Sequence, residues 1–173
     1  NQSFWKLFRE NKISENELRI QRLIQTFNSM NIEIKEKKLK EISNLYIENL
    51  SKFPHLFDGA NDLLKHLKKN YRLHIITNGF HKVQNFKIKN SGLKPYFNFI
   101  FTAEKVGFKK PHPKIFQTAM NTAGSTPYSS LMIGDSFEAD IKGALKLGMQ
   151  ALHFNSHNES EHKSCTIRYS LKD

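Results

Sequence analysis

The 173 residues contain one cysteine, Cys165. An internal disulfide is thereby excluded, and the composition fits a reducing compartment, so the expected location is the cytoplasm. Cys165 stands in a polar C-terminal stretch and reads as a spare thiol, not a nucleophile. No run approaches the ~18 apolar residues of a membrane span. No basic stretch leads into an apolar one at the start of these residues, the pattern of a secretory leader. Apolar residues make up 38% and charged residues 25%. The apolar share is somewhat low, yet a chain of this length buries a proper core as one domain, or one domain with a small appendage.

Acidic residues are scarce as well: 16 stand against 27 Lys and Arg, for a net charge of +11. Such an excess raises the question of a nucleic-acid partner. The lysines, however, are spread along the chain. The densest run, "KEKKLK" (35–40), alternates with Ile34 and Leu39 and reads as the solvated face of a helix. No basic segment is interleaved with aromatics to make a stacking platform. Nucleic acid is therefore not the expected partner.

What is present falls into two styles. Residues 1–51 read as helical throughout. "SENE" (14–17) is a Ser-x-x-Glu capping box. Leu18, Leu23, Ile24, Phe27 and Met30 follow at helical spacing. A second helix over about 36–51 carries Leu39, Ile42, Leu45, Tyr46 and Leu50 on one side. Phe4, Trp5, Leu7 and Phe8 form an aromatic-rich cluster assigned to packing. At "KFPHLFDG" (52–59) Pro54 and Gly59 punctuate the chain. From there helices and strands alternate: a helix over 59–69 capped by Asp58, a strand at 72–77, a helix at 81–90 closed by Gly92, and a strand at 97–102. A helix at 113–123 follows, opened by Pro113 and stopped by Gly124, then a strand at 130–134, a helix at 138–147 and a strand at 149–154. The alternation predicts an α/β fold with a doubly wound parallel sheet over 52–173. In such sheets ligands sit outside the carboxyl ends of the strands.

That rule selects three residues. Thr77 ends a strand in "IITNGF", Asp135 ends another in "LMIGDS", and Lys110 lies in the loop after a third, in "GFKKPHPKIF". Each has a plain reading, Thr77 and Asp135 as helix caps and Lys110 as a surface lysine. Together they supply a hydroxyl donor, a cation and a hard oxygen ligand for a divalent ion, which is equipment for a phosphoryl group.

Thr-Asn-Gly after a strand, then Lys-Pro, then Gly-Asp-Ser with a second acid at Asp140, resembles the haloacid dehalogenase superfamily of phosphohydrolases over residues 52–155. "TNGF", "VGFKKPHPKIF" and "GDSFEADIKGA" resemble most its pyrimidine 5′-nucleotidase branch. The resemblance implies that Asp135 binds Mg²⁺, with Asp140 behind it orienting Asp135 or its waters. It implies that Thr77 hydrogen-bonds a phosphoryl oxygen and that Lys110 offsets charge between nucleophile and phosphate. Asn78 and Gly79 would present backbone N–H groups to the anion at the next helix's start. Ser136 would cap the following helix and shape the metal loop. Residues 1–51 would be part of the helical cap domain.

One feature of that family is missing. Its first motif, Asp-x-Asp-x-Thr, has no match here. The first Asp attacks phosphorus, forming an aspartyl-phosphate, and the second protonates the leaving group. The strand carrying it lies centrally, between those ending at Thr77 and Gly134. The expectation is an upstream segment of a few tens of residues, and a core without its first strand in the residues given. The expected substrate is a nucleoside monophosphate, and the expected state a monomer or homodimer. Phosphoglycolate or sugar-phosphate chemistry, dehalogenation, and a non-catalytic binding module remain as alternatives.

Overall fold

The computed structural model describes residues 2–50, 52–53 and 55–172. It divides into two compact units, Asn1–Phe53 and Pro54–Asp173. Ser51 and Pro54, on which the boundary expected from sequence partly rests, lie outside the described residues.

The first unit is helical: α1 (Gln2–Arg9), α2 (Glu15–Ser29) and α3 (Glu36–Leu50). The capping box opens α2. Glu17 N–H donates to Ser14 Oγ at 3.2 Å, and Ser14 N–H donates to Glu17 Oε2 at 2.7 Å. Leu18, Leu39 and Phe8 are buried, and Trp5 meets Phe8 edge-on at 5.9 Å, so the aromatic cluster packs. The broad apolar stripe expected on α3 is narrower in fact. Arg19 of α2 donates to Ser43 Oγ at 3.1 Å and Asn44 Oδ1 at 2.9 Å. The contact face therefore centres on Leu39 and Ser43, and rotation of ~100° per residue leaves Leu45 and Tyr46 exposed.

The second unit alternates helix and strand. Its elements are α4 (Ala60–Leu67), β1 (Leu73–Thr77), α5 (His81–Asn90), β2 (Phe97–Thr102), α6 (Ala103–Val106), α7 (Pro113–Ala123), β3 (Leu131–Gly134), α8 (Lys142–Leu145), β4 (Gln150–Phe154) and β5 (Thr166–Arg168). No helix among the described residues is long and apolar enough to cross a membrane. All strand pairings are parallel, as alternation requires. They form two ladders, β1–β2 and β3–β4–β5. Among the described residues β1 and β3 are not paired with each other, and each has one edge without a strand partner.

One core joins the ladders. Ile115, Phe116 and Met120 of α7 pack with Ile76 of β1 and Met132 of β3, and with Ala144 of α8. Phe116 and Ile115 have no exposed surface, a burial that stabilises by ~1.5–3 kcal/mol each. The local chemistry of α7 fits this role. His112 Nδ1 accepts the Lys114 N–H at 3.2 Å, Pro113 opens the first turn, and Gly124 closes the helix at φ 60°. The far face of β3 is bare by comparison: Leu131 is 53% and Ile133 39% exposed.

Two local expectations are corrected, and one element is new. Asp58 does not cap α4; its carboxylate pairs with Lys172, and Gly59 stands at the cap position with φ 81°. The helix expected over 138–147 starts as a π-type turn at Phe137–Ile141 before α8. Residues 166–168, to which no element was assigned from sequence, pair with β4 as β5, because Thr166 and Ile167 continue the β4 ladder.

Candidate active site

Thr77, Lys110 and Asp135 lie on three loops beyond the carboxyl ends of β1, β2 and β3, and polar contacts of Asn78, Lys110 and Asp140 tie those loops together. Thr77 is the last residue of β1. Its Oγ1 accepts the Gly79 N–H at 3.0 Å, leaving the hydroxyl proton for another acceptor. A Cβ at Gly79 would meet the end of the Gln84 side chain, which would have to move aside. The Gly79 N–H is directed at Thr77 Oγ1.

Asn78 connects this loop to the next. Its Oδ1 accepts the Lys110 N–H at 2.7 Å, and its Nδ2 donates to the Lys110 carbonyl at 2.9 Å. The amide clamps the backbone immediately before the cis Lys110–Pro111 bond. Lys110 then reaches Asp140: Nζ lies 2.6 Å from Oδ1, with side chains 12% and 3% exposed. The other oxygen of Asp140 accepts the Ser136 N–H at 3.2 Å.

The π-type turn makes this return possible. Ser136 carbonyl accepts from both Asp140 N–H (2.9 Å) and Ile141 N–H (3.3 Å), and Ser136 Oγ accepts from Ala139 N–H at 3.3 Å. Such turns collect at functional sites. Asp140 folds back beneath Gly134, where any Cβ would strike its carboxylate. The Gly-Asp-Ser spacing follows: glycine to admit Asp140, serine to cap the turn, and Asp135 between them. Ser136 is the cap, so the capping reading of Asp135 does not hold. The Asp135 side chain is 51% exposed.

A second set of residues holds Asp135 from β4 and the loop beyond it. His157 Nε2 lies 2.9 Å from Asp135 Oδ2, and His153 Nε2 3.3 Å from the Asp135 carbonyl. The carbonyl only accepts, so His153 Nε2 carries the proton. His153 Nδ1 then accepts from His162 Nε2 at 3.0 Å, and His162 Nδ1 accepts the Ser164 N–H at 3.3 Å. Burial, with His153 next to it, holds the His162 pKa below its ordinary value. Phe137 stacks on His162 at 3.9 Å and donates its N–H to Glu159 Oε2 at 2.9 Å.

The family profile of haloacid dehalogenase-like hydrolases matches residues 2–154. The chain belongs to the haloacid dehalogenase-like hydrolases. It is 32% identical over 176 residues to the pyrimidine 5′-nucleotidase PynA of Streptococcus pneumoniae, covering 99% of this chain and 72% of that protein. It is 33% identical over 122 residues to the pyrimidine 5′-nucleotidase YjjG of Escherichia coli, covering 70% of this chain and 54% of that one. Among solved structures, that of the HAD-hydrolase YfnB of Bacillus subtilis, bound to magnesium, superposes with a TM-score of 0.84 at 28% identity, over 99% of this chain and 75% of its own. The chain thus spans just over half of one nucleotidase relative and about three quarters of the other.

Within this chain, the residues expected from sequence occupy three different situations. Lys110, Ser136 and Asp140 belong to one polar network, and Thr77 stands next to Asn78, whose side chain holds the Lys110 backbone. Asp135 stands beside it with one carboxylate oxygen held by His157. The Asn78 side chain is committed to the Lys110 backbone. Asp140 contacts Lys110 and the Ser136 backbone, not the Asp135 carboxylate. His153, His157 and Glu159 were not singled out in the sequence. The signal was there, since "HFNSHNES" (153–160) runs from the last two residues of β4 into the loop beyond its carboxyl end. No group of three or more His, Cys, Asp and Glu side chains that could hold a metal ion occurs among the described residues, but magnesium needs only one or two carboxylates and takes waters and substrate oxygens at its other positions. Asp135 supplies one such hard oxygen.

Proposed function

We propose that the protein is a Mg²⁺-dependent phosphomonoester hydrolase, a 5′-nucleotidase acting on pyrimidine nucleoside monophosphates. The observation that carries this reading is the polar path from Thr77 through Asn78, Lys110 and Asp140 to the Asp135 loop. It gathers a hydroxyl donor, a buried ammonium and a partly exposed carboxylate at the strand ends of one α/β unit. The likeness to two pyrimidine 5′-nucleotidases supports the substrate class.

In this reading the Thr77 hydroxyl donates to a non-bridging phosphoryl oxygen. Lys110, anchored by Asp140, keeps two further protons for the same group. Asp135 holds Mg²⁺, which supplies positive charge to the transferring phosphoryl group. The attacking carboxylate comes from a strand outside residues 1–173, seated between β1 and β3, whose facing edges have no partner among the described residues. Its oxygen attacks phosphorus, and the nucleoside oxygen leaves with a proton from a second acid of that strand. Water then releases phosphate. The helices of residues 1–53 act as part of a substrate-selecting cap. A dehalogenase displaces halide from carbon and has no use for a cation at Asp135, so phosphate is the better fit.

The test is phosphate release by the full-length protein from a panel of phosphomonoesters: pyrimidine and purine nucleoside monophosphates, phosphoglycolate and sugar phosphates, with Mg²⁺. Preference for a pyrimidine nucleotide is expected. Turnover of only the sugar phosphates would overturn the substrate class, and halide release from a 2-haloacid would overturn the reaction.

A further inference from the structure

We propose that the loop following β4, residues 155–159, is a purpose-built support for the Asp135 carboxylate, with His157 as the positioning residue that leaves Oδ1 free for the cation. This rests on the reading of Asp135 as the metal ligand and extends it to residues that reading does not require.

An exposed His–Asp pair by itself means little, since most surface pairs contribute ~0–1 kcal/mol. What distinguishes this one is the loop behind it. Asn155 is 2% exposed and clamps the loop shut: its Oδ1 accepts the Glu159 N–H at 2.7 Å, and its Nδ2 donates to the Glu159 carbonyl at 2.8 Å. Asn155 N–H in turn donates to the Arg168 carbonyl of β5 at 2.8 Å, fastening the loop to the sheet. The intervening turn is made by Asn158 at φ 52°, a conformation asparagine tolerates better than most residues. Glu159, so fixed, reaches across to the Phe137 N–H, two residues past Asp135.

The result is a three-point grip on the Asp135 segment from one side. His153 holds the carbonyl, Glu159 holds the turn that follows, and His157 holds carboxylate Oδ2 at 2.9 Å. The terminal torsion of an aspartate is broad. A donor on one oxygen narrows it and directs the other oxygen outward before any ion arrives. Imidazole–carboxylate pairs behind a metal do this work elsewhere, and losing such a partner typically costs ~10–100-fold in metal affinity.

The experiment is Mn²⁺ binding, with Mn²⁺ in place of Mg²⁺, followed by electron paramagnetic resonance in the substrate-free full-length protein. Four forms are compared: wild type, His157→Ala, His157→Gln and Asp135→Asn. His157 is 56% exposed, so its variants should melt as wild type does in EDTA. His157→Ala should bind Mn²⁺ ~10–100-fold more weakly, and His157→Gln, which retains an N–H donor, should recover most of the loss. Asp135→Asn should not bind. If His157→Ala binds as tightly as wild type, or more tightly, the support role is wrong and His157 is a bystander or a competitor for the carboxylate. If Asp135→Asn binds like wild type, the reading of Asp135 itself fails, and the support role with it.

Discussion

Lys110 and Asp140 form the most enclosed charge pair among the described residues. Removing one partner of a buried pair leaves the other charge stranded, at ~3–5 kcal/mol, whereas removing both is much milder. Lys110→Ala is therefore expected to lose both stability and turnover, the latter by ~10²–10³-fold, as for loss of a charge-stabilising group. Adding Asp140→Asn to Lys110→Ala should restore the urea midpoint without restoring turnover. Lys109→Ala, altering a neighbour outside the polar path, should leave turnover close to wild type; equal losses in the two lysine variants would show that the wrong ammonium has been placed in the site. Asn78 is tested separately. Its two bonds to the Lys110 backbone set where that ammonium points, and small displacements in such sites are costly. Asn78→Ala should lower kcat by ~10–100-fold, and Asn78→Asp, which keeps the acceptor for the Lys110 N–H, should lower it less. Unchanged kcat in Asn78→Ala would remove the clamp from the explanation.

Strand β1 carries a feature that makes stability depend on pH. His74 stacks on Phe99 of β2 at 5.5 Å and 11°, with Phe101 beyond, and its Nδ1 is buried without a partner among the described residues. Burial, with Arg72 adding repulsion, holds its pKa below the ordinary 6.5. A histidine depressed in the folded state takes up its proton more readily when unfolded. Its contribution to stability is thus present above pH 6.5 and is lost as pH falls through the folded pKa. His74→Phe keeps the stack and deletes the titration, so its melting temperature should fall less between pH 7 and pH 5 than that of wild type; parallel curves would contradict this. The elements themselves were legible where local chemistry and tertiary demand agree. β2, α5 and α7 fall at the positions their turn residues predict, because Gly92, Pro113 and Gly124 act within a few residues. The π-type turn at Phe137–Ile141 was not legible, since it exists to bring Asp140 under Gly134, a tertiary purpose with no propensity of its own. β5 escaped for a similar reason: three residues gain strand character only from the β4 ladder beside them. Likewise Thr77, Lys110 and Asp135 could be chosen by their place at strand ends, whereas the Asn78 clamp and the His157 contact depend on which way side chains turn in loops.

At the scale of the whole molecule the parallel strands lie in two ladders around one helix, α7, with the free edges of β1 and β3 belonging to apolar strands. Unpaired apolar edges invite association. A strand between them would close one parallel sheet and bring its carboxyl end to the same rim as Thr77 and Asp135. If the proposed function holds, residues 1–173 alone should release no phosphate and melt without cooperativity, while a form carrying an Asp-x-Asp-x-Thr strand between β1 and β3 should melt cooperatively; a cooperative and active 173-residue chain would mean that the nucleophile already lies within it. The most direct test of a cation-assisted phosphoryl site on this rim is the initial rate of phosphate release from a pyrimidine nucleoside monophosphate, measured against Mg²⁺ concentration for full-length wild type and Asp135→Asn. Wild type should be silent in EDTA and rise to saturation with Mg²⁺, and Asp135→Asn should stay inert throughout. Full turnover in EDTA, or an Asp135→Asn protein with the wild-type Mg²⁺ dependence, would contradict it.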